Sequence, residues 1–208
     1  GSSNNMKDIK AVIFDWGGVC CSEGEPFASK ALQRILSLSP EQIAEKAGDI
    51  YSGYYIGKYS SDFFWREIMS FFNLKENLEI NLHSLSEAYF NSYHIYPDVM
   101  DIILKLRKKY KIGLLSNLIP EMRNRIKEKH DLERYFDAEV FSCDEDVAAM
   151  KPDSKPYKAI SDKLGVPMKK CLFIDNSLKN IDAAKRLGMK TILFSNKEAF
   201  LKDIINFL

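Results

Sequence analysis

A short apolar run near the beginning of the chain constrains the fold more than any other feature of the sequence. Residues 11–14, with the sequence Ala-Val-Ile-Phe, are followed by Asp15 and by the glycine pair Gly17-Gly18. An apolar run of this length that stops at turn-forming residues is typical of a buried β-strand. The sequence therefore predicts a core strand whose carboxyl end carries an aspartate and a tight glycine turn.

The second half of the chain alternates between helix-like and strand-like segments. The i, i+3, i+4, i+7 spacing of an amphipathic helix is followed by the apolar residues Val99, Ile102, Ile103 and Leu106. Further helices are predicted over residues 122–129, 156–164 and 178–187, and strands over residues 111–115, 138–141, 171–174 and 191–194. This alternation predicts an α/β fold with a doubly wound, mostly parallel sheet that is covered by helices on both faces.

The region between these two parts has a different character. Residues 28–95 contain no strand-like run comparable to residues 11–14, and they are rich in aromatic residues with helical spacing. A chain of 208 residues has room for one large domain or for one domain with an inserted lobe. We therefore predict an α/β core formed by residues 6–19 and 96–208, and an all-helical inserted domain at residues 20–95.

Charge and cysteine content exclude several classes of function. Lys and Arg together number 30 and Asp and Glu 29, so the formal net charge is +1 and no basic excess is available for binding nucleic acid or an anionic membrane. No apolar run approaches the ~18 residues that span a bilayer. The cysteines have no zinc-binding spacing, so we expect reduced thiols in a cytoplasmic protein.

Polar side chains follow three of the predicted strands directly. Asp15, Ser116 and Asp175 each stand where a strand ends, and in a parallel sheet such ends meet at one edge. The two aspartates can hold a hard cation such as Mg2+, and Lys151 can neutralise the charge of a bound phosphate. A carboxylate that faces phosphate beside Mg2+ is a candidate nucleophile, so these residues together indicate phosphate chemistry.

Four short motifs occur along the chain in a definite order: Phe14-Asp15-Trp16-Gly17-Gly18-Val19, Leu115-Ser116-Asn117, Lys151-Pro152-Asp153 and Phe173-Ile174-Asp175-Asn176-Ser177. In this order they resemble the motifs of the haloacid dehalogenase superfamily, a group dominated by Mg2+-dependent phosphatases. The resemblance covers about residues 11–194 and implies a Rossmann-like core with a helical cap over the active site. It also implies hydrolysis of a small phosphorylated metabolite, with sugar phosphates among the candidates, through an aspartyl-phosphate intermediate and with Mg2+ as the cofactor.

The resemblance implies a role for each matching residue. The catalytic residues would be Asp15, as the nucleophile, and Lys151. The residues that hold the phosphate would be Trp16, Gly17, Ser116, Asn117 and Lys151. The residues that hold the metal would be Asp15, the carbonyl of Gly17, Asp175 and Asn176, with one of the last two acting through water.

Two positions depart from the family pattern. Most phosphatases of the family carry a second Asp two residues after the nucleophile, which protonates the leaving group and then activates water, whereas this chain has Gly17 there. Asn176 stands where an acidic residue is usual, and a neutral amide should weaken Mg2+ binding. Two alternatives to a phosphatase therefore stay open. One is a catalytically weak or inactive phosphate-binding protein, and the other is a 2-haloacid dehalogenase, whose usual fourth motif this chain does not reproduce.

Overall fold

A parallel sheet of five strands, in the order β3-β2-β1-β4-β5, forms the centre of the computed structural model. The strands are β1 (Ala11–Phe14), β2 (Lys111–Ser116), β3 (Ala138–Phe141), β4 (Cys171–Asp175) and β5 (Lys190–Leu193). The structure describes residues 8–23, 29–74, 87 and 90–208. The central strand β1 is completely buried, as the uninterrupted apolar run predicts for a strand with helices on both faces.

The register of the sheet brings the carboxyl ends of three strands level with one another. Phe14 of β1 pairs with Leu114 of β2 on one side and with Ile174 of β4 on the other. Asp15 follows Phe14, and its backbone N–H still donates to the carbonyl of Ile174, at 3.0 Å. The polar residue that ends each strand is therefore placed at the same edge of the sheet.

Helices connect the strands and cover both faces of the sheet. Before β2 they are α1 (Ser29–Leu36), α2 (Pro40–Lys46), α3 (Gly48–Tyr55), α4 (Ser61–Phe71) and α5 (Pro97–Leu106). After β2 they are α6 (Pro120–Lys129), α7 (Leu132–Tyr135), α8 (Ser154–Leu164), α9 (Leu178–Arg186) and α10 (Lys197–Ile204). Short 3-10 turns lie at Met168–Lys170 and Ile205–Phe207.

The two faces of β1 pack into separate apolar clusters. Val12 and Phe14 belong to a cluster that includes Ile103 of α5, while Ile13 belongs to a cluster that includes Ile160 of α8. Alternate residues of a strand point to opposite faces, so each face of the sheet has its own core. The doubly wound α/β fold predicted from the sequence is confirmed.

The regular secondary structure in the described part of the segment between β1 and α5 is helical. Helices α1–α4 occupy it, and within its described part β-structure is limited to isolated backbone bridges near the two ends. At those ends the N–H of Tyr96 donates to the carbonyl of Cys20, and the N–H of Ser22 donates to the carbonyl of His94. The boundaries of the inserted domain at residues 20–95 stay a prediction, since part of that range lies outside the described residues.

The predicted elements differ from the observed ones mainly at their ends. Strand β5 covers Lys190–Leu193 rather than residues 191–194, and α6 begins at Pro120 rather than at residue 122. Proline suits the first turn of a helix, because the N–H that it lacks has no partner there. Helix α8 ends at Gly165 as predicted, and this glycine has the left-handed φ of 66° that favours glycine after a helix.

Candidate active site

A cavity of about 320 Å³ lies beyond the carboxyl ends of β1, β2 and β4. All the site residues predicted from the sequence line this one cavity: Asp15, Trp16, Gly17, Ser116, Asn117, Lys151, Asp175 and Asn176. They come from four separate parts of the chain, and the parallel register of the sheet brings them together. The structure therefore places the predicted residues at one site, while their chemical roles stay a proposal.

Lys151 connects the two aspartates of this site. Its Nζ lies 3.0 Å from Oδ1 of Asp15 and 2.9 Å from Oδ2 of Asp175, and it donates to the carbonyl of Leu115 at 2.9 Å. Its side chain is only 1% exposed, so the ammonium is shielded from water. Burial lowers the pKa of Lys151, but the carboxylates of Asp15 and Asp175 outweigh that effect and raise it. Lys151 therefore carries its charge at neutral pH.

Asn117 fixes the backbone of Lys151 from the loop after β2. Its Oδ1 accepts from the N–H of Lys151 at 2.9 Å, and its Nδ2 donates to the carbonyl of Lys151 at 3.1 Å. These bonds use both ends of the Asn117 side chain. The amide group of the side chain thus positions Lys151, and the backbone N–H of Asn117 and the second N–H of Nδ2 remain as candidate contacts to phosphate.

Asp175 is completely buried, and both of its carboxylate oxygens accept hydrogen bonds from the protein. Oδ1 accepts from the N–H of Ser177 at 2.8 Å, and Oδ2 accepts from Nδ2 of Asn180 at 3.1 Å as well as from Lys151. A carboxylate held in this way orients Lys151. The sequence pattern did not single out Ser177 or Asn180 as partners of Asp175, although their offsets of two and five residues are the signal that could have found them.

Asp15 is held through one oxygen only. Its Oδ1 accepts from the N–H of Trp16 at 2.8 Å and contacts Lys151, whereas no residue in the described part of the chain donates to Oδ2. Burial raises the pKa of Asp15 from 3.8 to about 6, although the charge of Lys151 opposes this shift. One oxygen of the carboxylate is thus oriented while the other is available to react or to bind a cation.

The two glycines after Asp15 meet different requirements. Gly18 has a φ of 83°, which favours glycine, and a Cβ there would lie 2.3 Å from the side-chain amide of Asn176 and would displace it. A Cβ at Gly17 would meet no atom within 4 Å. Position 17 therefore has room for a side chain. Most phosphatases of the family that this sequence resembles carry the acid/base aspartate there.

The oxygens available around Asp15 fit a Mg2+ ion. They are an oxygen of the Asp15 carboxylate, the carbonyl of Gly17, which accepts no backbone hydrogen bond from the described residues, and the side-chain oxygen of Asn176. Among the described residues no group of three or more His, Cys, Asp or Glu could hold a metal. A site with few carboxylates suits Mg2+, which is commonly bound by one or two of them together with phosphate and water.

Trp16 and Ser116 close the inner wall of the cavity. Trp16 is 2% exposed and packs against Tyr93 and His130, whose ring centroids lie 6.2 Å and 5.5 Å from its own. Tyr93 and His130 also share a hydrogen bond of 2.9 Å, and burial lowers the pKa of His130. Ser116, the last residue of β2, is 3% exposed, and its carbonyl accepts from the N–H of Ser142. Tyr93 and His130 were not predicted near the site, because nothing in their sequence neighbourhood marks them.

Comparison with protein families identifies the fold and the class of enzyme. The model of the haloacid dehalogenase-like hydrolases matches residues 9–188. The chain belongs to this family of hydrolases. A phosphatase of Mycobacterium tuberculosis is 29% identical over 196 residues, which cover 89% of this chain and 87% of that protein.

Solved structures of haloacid dehalogenase family members share the fold of this hydrolase. An enzyme of Bacteroides thetaiotaomicron, in complex with magnesium and inorganic phosphate, aligns with a TM-score of 0.73 and 23% identity over 93% of this chain and 98% of that one. An L-2-haloacid dehalogenase of Xanthobacter autotrophicus aligns with a TM-score of 0.58 and 22% identity over 95% of this chain and 82% of that one. Within the residues that the structure describes, every helix is too short or too polar to cross a membrane.

Proposed function

We propose that this hydrolase cleaves small phosphate monoesters through a phosphorylated Asp15, with Mg2+ as its cofactor. The observation that carries the proposal is the asymmetry of the Asp15 carboxylate. Its Oδ1 is oriented by Trp16 and Lys151, its Oδ2 accepts from no donor among the described residues, and the residue lines the cavity. The phosphatase of Mycobacterium tuberculosis and the Bacteroides complex with magnesium and phosphate support the same chemistry.

The reaction has two steps. In the first, Oδ2 of Asp15 attacks phosphorus, and the bond between phosphorus and the leaving-group oxygen breaks. In the second, a water oxygen attacks the same phosphorus, the bond to Asp15 breaks, and inorganic phosphate leaves while the carboxylate is restored. Lys151 keeps a positive charge beside the oxygens on which negative charge accumulates, which is the main catalytic requirement of phosphoryl transfer.

Asp15, the carbonyl of Gly17 and Asn176 would hold Mg2+. When bound, the ion supplies positive charge that offsets the charge of the phosphate group. Asp175 would contact the ion through water, because its carboxylate oxygens already accept hydrogen bonds from Lys151, Ser177 and Asn180.

Gly17 determines which esters react well. With no side chain at this position, the leaving oxygen receives its proton from water or departs as an anion. Substrates with acidic leaving groups, such as aryl phosphate esters and the acyl phosphate acetyl phosphate, should therefore react faster than phosphate esters of simple alcohols. The missing acid/base side chain at position 17 also supports a second candidate function, which is phosphate binding with little catalytic turnover.

The test is phosphate release from an aryl phosphate, acetyl phosphate and a panel of sugar phosphates. Each is measured with Mg2+, with a chelator, and with the isosteric variant Asp15→Asn. We expect release that depends on Mg2+ and is lost in the variant. Folded protein that binds inorganic phosphate but releases none from any ester would favour the binding function. Halide release from a 2-haloacid without metal would instead indicate a dehalogenase.

A further inference from the structure

Glu121, in the first turn of α6, contacts the helical segment with both oxygens of its carboxylate. Oε2 accepts from the hydroxyl of Tyr54 at 2.8 Å, and Oε1 accepts from the N–H of Ser61 at 2.9 Å. These partners lie 67 and 60 residues away in sequence and flank the turn that joins α3 to α4. One carboxylate of the core therefore binds both sides of that turn.

Ser142, which follows β3, binds the same turn at a second point. Its hydroxyl donates to the carbonyl of Tyr55 at 2.6 Å and accepts from the N–H of Leu118 at 3.0 Å. Beside it, a Cβ at Gly57 would lie 2.7 Å from the carbonyl oxygen of Cys143, so the two backbones are in direct contact. The turn is thus fixed to the loops that follow β2 and β3.

These contacts determine where Tyr55 lies. The preceding residue, Tyr54, is completely buried, and its ring stacks on Phe64 with centroids 4.5 Å apart. Burial and the Glu121 carboxylate raise the pKa of Tyr54, so its hydroxyl keeps the proton that it donates. Tyr55 lines the cavity that contains Asp15. Within the described residues, Tyr55 is the contribution of α1–α4 to the wall of that cavity.

We propose that Tyr55 contacts the leaving group of the substrate, and that Glu121 and Ser142 are positioning residues which hold Tyr55 there. The cavity is also lined by Tyr93, Leu118 and Met122. This aromatic and apolar part of the wall, to which Ser22 and Glu23 add polar groups, fits a compact leaving group with a flat or apolar face. The inference rests on the proposed phosphatase function and adds the residue that selects the substrate.

The test compares Glu121→Gln and Tyr55→Ala with Glu128→Gln, a matched change at an exposed glutamate of the same helix. We expect KM for an aryl phosphate to rise by about tenfold in the first two variants with a smaller change in kcat, since they lose contacts outside the reacting atoms. KM for acetyl phosphate and inhibition by inorganic phosphate should stay near wild-type values. The double variant should add little to either single change, because both act through Tyr55.

Amide hydrogen exchange at Ser61 provides a measurement that does not depend on activity. Glu121→Gln should speed this exchange, and Glu128→Gln should not, because only Glu121 accepts from that N–H. Equal KM changes for both esters, or additive effects in the double variant, would overturn the role of Tyr55. Unchanged exchange at Ser61 would overturn the role of Glu121. If wild-type protein releases no phosphate from any substrate, both the proposed function and the selection of substrate by Tyr55 are wrong. Hydrogen exchange at Ser61 would still test whether Glu121 holds the turn between α3 and α4.

Discussion

Replacing Lys151 by Met tests whether one buried ammonium holds the site together. Methionine keeps a similar length and apolar stem but removes the charge that lies 3.0 Å from Asp15 and 2.9 Å from Asp175. Removing one partner of a buried ion pair leaves the other charge uncompensated, at a cost of about 3–5 kcal/mol. At about 2–4 °C per kcal/mol for a domain of this size, the melting temperature should fall by about 6–20 °C.

The pH dependence of this loss identifies its cause. The Lys151 charge lowers the pKa of Asp15, so without it that pKa rises above the value of about 6 in the wild type. A carboxyl group with a raised pKa in the folded state contributes stability at low pH, and loses that contribution as the pH rises through its folded pKa. The difference in unfolding free energy between wild type and Lys151→Met should therefore be smaller at about pH 5 than at about pH 8.

The assay is chemical or thermal unfolding in the presence of a chelator, with Lys155→Met as the control. Lys155 is exposed and lies four residues away on α8, so its replacement should change the melting temperature little. A Lys151→Met variant that melts with the wild type at every pH would refute the reasoning. A loss that is the same at both pH values would show that lost packing, rather than unpaired charge, is responsible.

Three further predictions concern other residues of the site. Gly17→Asp should fold normally, because a Cβ there meets no atom within 4 Å, and it should raise the rate of phosphate release by at least about tenfold. Gly18→Ala should instead lower both the stability and the activity of the protein. Melting curves and rates of phosphate release compare the two variants. At low Mg2+ the kcat/KM for an aryl phosphate should fall as the pH drops below about 6, because burial raises the pKa of metal-free Asp15 to about 6 and protons then compete with the cation. Saturating Mg2+ should shift this fall to lower pH, since a bound cation favours the ionised carboxylate, and a profile that does not depend on Mg2+ would contradict this. Asn117→Ala should lower kcat and destabilise the protein by about 1–3 kcal/mol, because it removes both side-chain bonds to the Lys151 backbone; unfolding and steady-state rates measure the two effects.

Much of the fold and the location of the site can be predicted from the sequence. Strands β1, β2 and β4 are buried on both faces, so each appears as an apolar run that ends at a polar residue. The parallel topology then brings Asp15, Ser116 and Asp175 to one edge. The predicted bounds of β5 were wrong by one residue. This edge strand has exposed ends, so no fully apolar run defines where it begins and ends.

The contacts that the sequence could not predict join distant segments through single side chains. The bonds of Glu121 to Tyr54 and Ser61 join residues that are 67 and 60 positions apart in sequence, so they carry no local pattern. The same is true of Asn117, which was expected to hold phosphate and whose side chain binds the backbone of Lys151, 34 residues away. Such contacts depend on how whole elements pack, which periodicity and motif spacing do not encode.

The most direct test of the central claim is detection of the phosphorylated nucleophile. Acetyl phosphate is mixed with the protein and Mg2+, the reaction is quenched in acid, and the peptide that contains Asp15 is examined by mass spectrometry. Because Gly17 supplies no base to activate water, the second step should be slow and the intermediate should accumulate. We predict a hydroxylamine-sensitive phosphoryl group on Asp15 in the wild type and none in Asp15→Asn. Phosphate release without any phosphorylated Asp15, or with the phosphoryl group on another residue, would contradict it.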